Sequence, residues 1–99
     1  MNYVIEQTRI FADWHEALRD MRARIAIARR IDRAAAGNLG DAKPVGEGVS
    51  EMRIDVGAGY RVYFSRHGAV TIALLCGGDK STQRRDIERA IRIAKEIRK

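Results

Sequence analysis

Between Glu51 and Gln83 the chain carries three β-rich runs joined by two short links. Glu51-Met52-Arg53-Ile54-Asp55-Val56 leads through Gly57-Ala58-Gly59 to Tyr60-Arg61-Val62-Tyr63-Phe64-Ser65-Arg66. His67-Gly68 then leads to Ala69-Val70-Thr71-Ile72-Ala73-Leu74-Leu75-Cys76, followed by Gly77-Gly78-Asp79-Lys80-Ser81-Thr82-Gln83. Links this short join neighbouring antiparallel strands, and His67-Gly68 has the form of a two-residue hairpin link. The stretch therefore predicts a three-stranded antiparallel meander, with helices packed around it.

Alternation along each run assigns its faces. Met52, Ile54 and Val56 share one face, opposite Glu51, Arg53 and Asp55. Tyr60, Val62 and Phe64 share a face, opposite Arg61, Tyr63 and Ser65. The third run is apolar on both sides, which predicts a strand covered on both faces. A tight first turn sets Asp55 beside Arg61 and Arg53 beside Tyr63. The third strand returns antiparallel, so Gly77 to Lys80 emerge near Arg61. A cationic, polar patch on an apolar sheet is the result.

The flanking segments read as helices and one loop. Asn2 to Gln7 is a short strand around Tyr3, Val4 and Ile5. Thr8 caps a first helix with Phe11, Trp14 and Leu18 on one stripe. His15 lies off that stripe and is expected to be exposed. Asp20 caps a second helix that runs to about Ala36, with Met21, Ile25, Ala28, Ile31 and Ala35 expected inside and Gly37 as its stop. The two helices form an αα-hairpin over one sheet face. Asn38 to Ser50 holds three glycines and the only proline of the chain. It predicts a loop with a short edge strand near Val45. Ser81 or Thr82 caps a last helix with Ile87, Ala90, Ile91, Ala94 and Ile97 inward. Arg84, Arg85, Arg89, Arg92, Lys95, Arg98 and Lys99 make that helix basic.

Ninety-nine residues, 45% of them apolar, make one domain with one core. No apolar run is long enough to span a membrane, and no signal-peptide pattern opens the chain. The single cysteine, Cys76, excludes an internal disulfide and fits a reducing cytoplasm. It ends an apolar strand and reads as a core residue. Lys and Arg number 19 against 13 Asp and Glu, a net charge of +6. That excess suits a polyanionic partner, most simply nucleic acid. It also suits a solvated surface, or one covered by an acidic protein.

The element order resembles the RelE/ParE superfamily of bacterial toxins, and most of all its addiction-module killer branch, often called HigB-like. The carrying blocks are Phe11-x-x-Trp14, Gly40-Asp41-x-Lys43-Pro44-Val45-Gly46-Glu47-Gly48-Val49-Ser50-Glu51, Gly59-Tyr60-Arg61-Val62-Tyr63-Phe64 and Leu74-Leu75-Cys76-Gly77-Gly78-Asp79-Lys80-Ser81-Thr82-Gln83. The resemblance spans the whole chain. It implies a single RelE/ParE-like toxin domain over residues 1–99, an α+β fold of N-terminal strand, αα-hairpin, three-stranded antiparallel meander and C-terminal helix (β-α-α-β-β-β-α). It further implies a toxin of a type II toxin–antitoxin system, located in the cytoplasm. Its partners would be a cognate helix-turn-helix antitoxin, the ribosome with its messenger RNA, and operator DNA reached through the toxin–antitoxin complex.

RelE-like relatives cut messenger RNA in the ribosomal A site without a cofactor or metal. A ribose 2′-hydroxyl attacks the neighbouring phosphate, and fixed cations stabilise the growing negative charge. Arg61 matches the family's strand arginine. Lys80 follows the Gly-Gly turn where relatives carry a basic group, and Arg53 approximates a strand lysine. Asp55 is a candidate general base, or else a salt-bridge partner of Arg61. Lys43, Arg84, Arg85 and Tyr63 are candidate RNA contacts. His67 falls roughly 20 Å from Arg61 at about 3.3 Å per residue and is excluded. The chain departs from the family at its C-terminal tyrosine, which is absent, and at a second strand lysine, which Asp55 replaces. The other function open to this fold is a non-enzymatic ParE-like poison of DNA gyrase. A third is an RNA-binding module without catalysis.

Overall fold

The computed structural model describes residues 2–98, so Lys99, expected at the basic end of the last helix, lies outside the described residues. The chain forms β1 (Val4–Gln7), α1 (Arg9–Ala17), α2 (Met21–Ala35), β2 (Ala42–Gly46), β3 (Val49–Ile54), β4 (Tyr60–His67), β5 (Thr71–Asp79), a 3-10 turn (Lys80–Thr82) and α3 (Gln83–Ile97). The strands make one sheet in the order β1-β5-β4-β3-β2. Strands β2 to β5 pair antiparallel, and β1 joins β5 in parallel. The fold is α+β, with a five-stranded mixed sheet and three helices. Among the described residues no helix is long and apolar enough to cross a membrane.

The edge strand expected near Val45 is present as Ala42–Gly46, which pairs with β3 and extends the three-stranded meander to four strands. Pro44 lies in this outermost strand, where a missing N–H removes no ladder bond from a central pair. The β2–β3 link is Glu47-Gly48, both with positive φ (49° and 80°), as a tight two-residue hairpin of the primed type requires. The β4–β5 link is longer than the expected His67-Gly68. His67 pairs with Thr71, so Gly68, Ala69 and Val70 make the turn, with Gly68 at φ 65°.

Local chemistry sets the helix ends. The Thr8 hydroxyl accepts from the Phe11 N–H at 3.0 Å and donates to the Leu75 carbonyl at 2.7 Å, so one side chain starts α1 and ties it to β5. Asp20 accepts from the Ala23 N–H at 3.1 Å to start α2. Gly37, at φ 102°, ends α2, with the Gly37 and Asn38 N–H groups returning to the Ala34 and Arg33 carbonyls.

Helices α1 and α2 cover one sheet face. Phe11, Ile27 and Ala34 pack there on Met52, Ile54, Val62, Phe64, Ile72 and Leu74. Helix α3 covers the other face, where Ala90 and Ala94 meet Val49, Tyr63, Ala73, Leu75 and Cys76. Strand β5 is thus covered on both sides, as its apolar run suggested. Tyr63 pairs with Cys76 and Phe64 with Leu74, so Leu75 is an extra residue. This bulge puts Leu75 and Cys76 on the same face.

Two expectations about the hairpin need correction. The buried stripe of α2 is Ala23, Ile27 and Ala34, while Met21 and Ile25 are 57% and 47% exposed. Arg30 explains the rotation: its guanidinium donates to the backbone carbonyls of Arg53, Leu39 and Asp41, fixing α2 about its own axis. His15 is half-buried, not free. Its Nε2 bonds to the Arg24 carbonyl at 3.0 Å and its ring stacks on Phe11.

Candidate anion site at the start of α3

Pairing register builds this site. Arg53 faces Arg61 across β3 and β4, and Arg61 faces Gly78 on β5. Two residues along the strands, Lys43, Glu51, Tyr63 and Cys76 stand in a row across four strands. Residues opposite one another point to the same face, here the one covered by α3. The expected neighbours are therefore displaced by two positions. Arg53 lies opposite Arg61, not Tyr63, and Asp55 is not beside Arg61. The β3–β4 link runs from Asp55 to Gly59, longer than a tight turn. It carries Asp55 to an exposed depression of about 260 Å³ lined by Arg29, Arg30 and Arg33 of α2.

Two arginines on directly opposed positions repel unless an anion lies between them. Glu51 supplies it. Its side chain is 0% exposed. Oε2 accepts from Arg53 Nε at 2.7 Å and lies 3.9 Å from Arg61 Nε. Oε1 accepts from Gln83 Nε2 at 2.9 Å, so α3 holds the carboxylate from above. Burial alone pushes the Glu51 carboxyl up. The bonds from Arg53 and Gln83 and the charges of Arg53 and Arg61 outweigh that, and its pKa lies below the ordinary value. The hydrogen bond to Glu51 in turn raises the pKa of Arg53.

The contacts with Glu51 engage the Nε side of the arginines. Among the described residues their terminal amino groups make no hydrogen bond, and the side chains of Arg53 and Arg61 keep 31% and 12% of their surface exposed. Arg61 Nε itself is buried with no hydrogen-bond partner. These free fork donors suit the oxygens of a phosphate or carboxylate.

The Gly77-Gly78 pair lets both layers approach the sheet here. A Cβ on Gly77 would fall 2.2 Å from the Trp14 ring, and one on Gly78 would fall 1.8 Å from Asp86 Oδ2. The buried Asp86 accepts from the Thr82 hydroxyl at 2.5 Å. Asp79 caps the 3-10 turn by accepting from the Ser81 N–H at 2.8 Å. Cys76 is buried beneath α3, and burial with the nearby Asp86 charge pushes its thiol up to about 11. It is a core residue, not a nucleophile.

Sequence candidates divide by exposure. Lys43, Lys80, Arg84 and Arg85 are all exposed. Lys80 passes over Gly59, and Arg84 and Arg85 edge a depression of about 330 Å³ with Ser81, Thr82 and Glu88. Tyr63, expected to touch RNA, is fully buried, its hydroxyl without a partner and its pKa raised by burial and by the charges of Glu51 and Asp86. It has no surface to offer a base. Sequence reasoning missed Glu51, Gln83 and Asp86 as members of the site. Alternation already put Glu51 on the face of Arg53. Gln83 reaches Glu51 across 32 positions and leaves no local signal. Among the described residues no group of three His, Cys, Asp or Glu side chains is gathered as a metal site would need.

No protein-family model matches the chain. Over 97 residues the chain is 46% identical to a protein of Haemophilus influenzae described as an uncharacterized protein, and the match covers 98% of each. With that identity sustained from end to end, this chain and the Haemophilus influenzae protein belong to one family.

Proposed function

We propose that this chain is the toxin of a type II toxin–antitoxin system, on a RelE-like fold, and that it cuts messenger RNA on the ribosome. The observation that carries the reading is the opposed pair Arg53 and Arg61 beside Glu51, Arg53 bonded to it through Nε, Arg61 Nε 3.9 Å from it, and both open at their terminal amino groups. Attack of a ribose 2′-hydroxyl on the adjacent phosphate forms a 2′,3′-cyclic phosphate and breaks the bond to the 5′-oxygen. The hydroxyl gives up its proton, the leaving 5′-oxygen takes one up, and negative charge builds on the phosphoryl oxygens in between. Fixed guanidiniums aimed at that charge lower the barrier more than any other single contribution. In this reading Lys80, which passes over Gly59, adds positive charge, and the exposed Lys43, Arg84 and Arg85 would contact the RNA backbone. The long sequence blocks shared with addiction-module killers support the same reading, as does the order strand, helical hairpin, meander, helix. In this reading the partners are the ribosome, its message, a helix-turn-helix antitoxin and, through that complex, operator DNA. The place of action is the cytoplasm.

One observation favours a second reading, a ParE-like gyrase poison. Glu51 already engages both arginines, and Asp55 lies away from Arg61, so among the described residues no uncommitted carboxylate stands beside the pair as a general base.

Arg61→Ala separates the two. A guanidinium that stabilises phosphoryl charge is worth about 2.7–4 kcal/mol, so ribosome-dependent cleavage should fall about 10²–10³-fold, by analogy with loss of one oxyanion donor. The fold should survive, because Arg53 and Gln83 still bond Glu51. Cleavage within about threefold of the parent, or trapped gyrase–DNA complexes without cut message, overturns the nuclease reading.

A further inference from the structure

We propose that Glu51 is a positioning residue, a resident anion that aims Arg53 and Arg61 and competes with RNA for them. The inference rests on the nuclease reading for its catalytic half and on geometry alone for its binding half. Glu51 has no exposed surface, so it touches no substrate directly. Its two oxygens are fixed from two layers, by Arg53 of the sheet and Gln83 of α3. Arg61 Nε lies 3.9 Å away, a distance of attraction without a formed hydrogen bond. Arg61 is thus held by charge and confinement, not by a saturated network, and it is the member of the pair left with an unmet donor.

Opposite consequences follow for binding and for turnover. Two guanidiniums and one carboxylate leave one net positive charge for a phosphodiester that carries one negative charge. The transition state carries more, and only arginines already in place can answer it without rearranging. Removing the carboxylate's charge strengthens the field that draws RNA in, and it frees two repelling side chains to splay. Ground-state binding should tighten while the chemical step slows. A purely structural glutamate gives no such split, since partial unfolding weakens both.

The test compares the parent with Glu51→Gln. A single-stranded oligodeoxynucleotide, which lacks the attacking hydroxyl, reports binding. Single-turnover cutting of message on programmed ribosomes reports chemistry. For Glu51→Gln the Kd should fall about 3- to 10-fold, the range of one unit charge acting through partly screened solvent. Cleavage should fall at least about tenfold, the scale of a misplaced charge-stabilising group. Gln83→Leu keeps the charge and loosens its anchor, so binding should hold and cleavage should drop several-fold. It remains decisive where Glu51→Gln does not fold. Equal or weaker oligonucleotide binding by folded Glu51→Gln overturns the proposal, as does undiminished cleavage by Gln83→Leu. The two readings fail separately. A parent that cuts no message overturns the nuclease, and the binding arm still decides whether Glu51 competes for the arginines.

Discussion

The two faces of the sheet are built on opposite terms. Beneath α1 and α2 the buried side chains are apolar: Phe11, Ile27, Met52, Ile54, Val62, Phe64, Ile72 and Leu74. Beneath α3 the core is smaller, with alanines on the helix, and it shares its space with buried Glu51, Asp86 and the Tyr63 hydroxyl. The first face takes large side chains out of water and so supplies most of the hydrophobic stabilisation. The second holds charges in a place where desolvation costs stability and strengthens every ionic contact. Apolar burial and the buried charged groups are thus assigned to different sides of the same sheet.

The sharpest way to break this division is Phe11→Ala. Removing that ring from a fully buried site should cost about 3–5 kcal/mol, read as a shift in the urea midpoint, and should leave oligonucleotide binding by the folded protein unchanged. Next come the two adjacent glycines, which report one face each. Gly77→Ala should cost about 1–3 kcal/mol through overpacking and should shift the fluorescence of Trp14, the chain's single tryptophan. Gly78→Ala should displace Asp86 and the start of α3, weaken oligonucleotide binding and leave the Trp14 spectrum unchanged. A spectral shift from both would join the faces that we separate.

A smaller effect concerns pH. The Glu51 pKa is lowered from its model-compound value of 4.5, so an unfolded chain binds its proton more readily than the folded one does. Its contribution is complete above pH 4.5 and is lost as pH falls through the lower folded value. Urea midpoints of the parent should therefore decline in that acid range more than those of Glu51→Gln. Parallel declines would remove Glu51 as the acid-sensitive element of this face. The smallest effect expected is Tyr63→Phe. Its hydroxyl is buried without a partner, so stability should change by less than about 0.5 kcal/mol or rise slightly. A large loss would reveal a partner for the hydroxyl.

What the sequence showed and hid follows the same physics. Strand faces were legible because period-two alternation is a local property, and Thr8, Asp20 and Gly37 marked helix ends through bonds within a few residues. The rotation of α2 was not legible. It depends on Arg30 reaching the Arg53 carbonyl 23 positions away, against an apolar stripe of Met21, Ile25 and Ala28 that looks like core. The neighbours of Arg61 were missed for a single reason: the length of the Asp55–Gly59 link sets register, and a two-residue error puts Asp55 where Arg53 stands opposite Arg61. The face was right and the partner wrong. The resemblance to RelE-like toxins implied roles for Arg61, Arg53 and Lys80 and none for Glu51, the carboxylate between the two arginines.

The parallel pairing of β1 with β5 has a consequence in time. The Thr8 hydroxyl and the Leu75 carbonyl that it binds are separated by 67 positions, and among the described residues β1 has no other strand neighbour. As the chain leaves the ribosome, β1 and the helical hairpin emerge long before the strand they dock on. Closing so large a loop is slow compared with forming the hairpins of β2 to β5. Phe11 and Ile27 therefore lack part of the surface they pack on until β5 has been made. Synthesis of β5, rather than the first appearance of helices, sets the moment at which the two parts of the sheet can join.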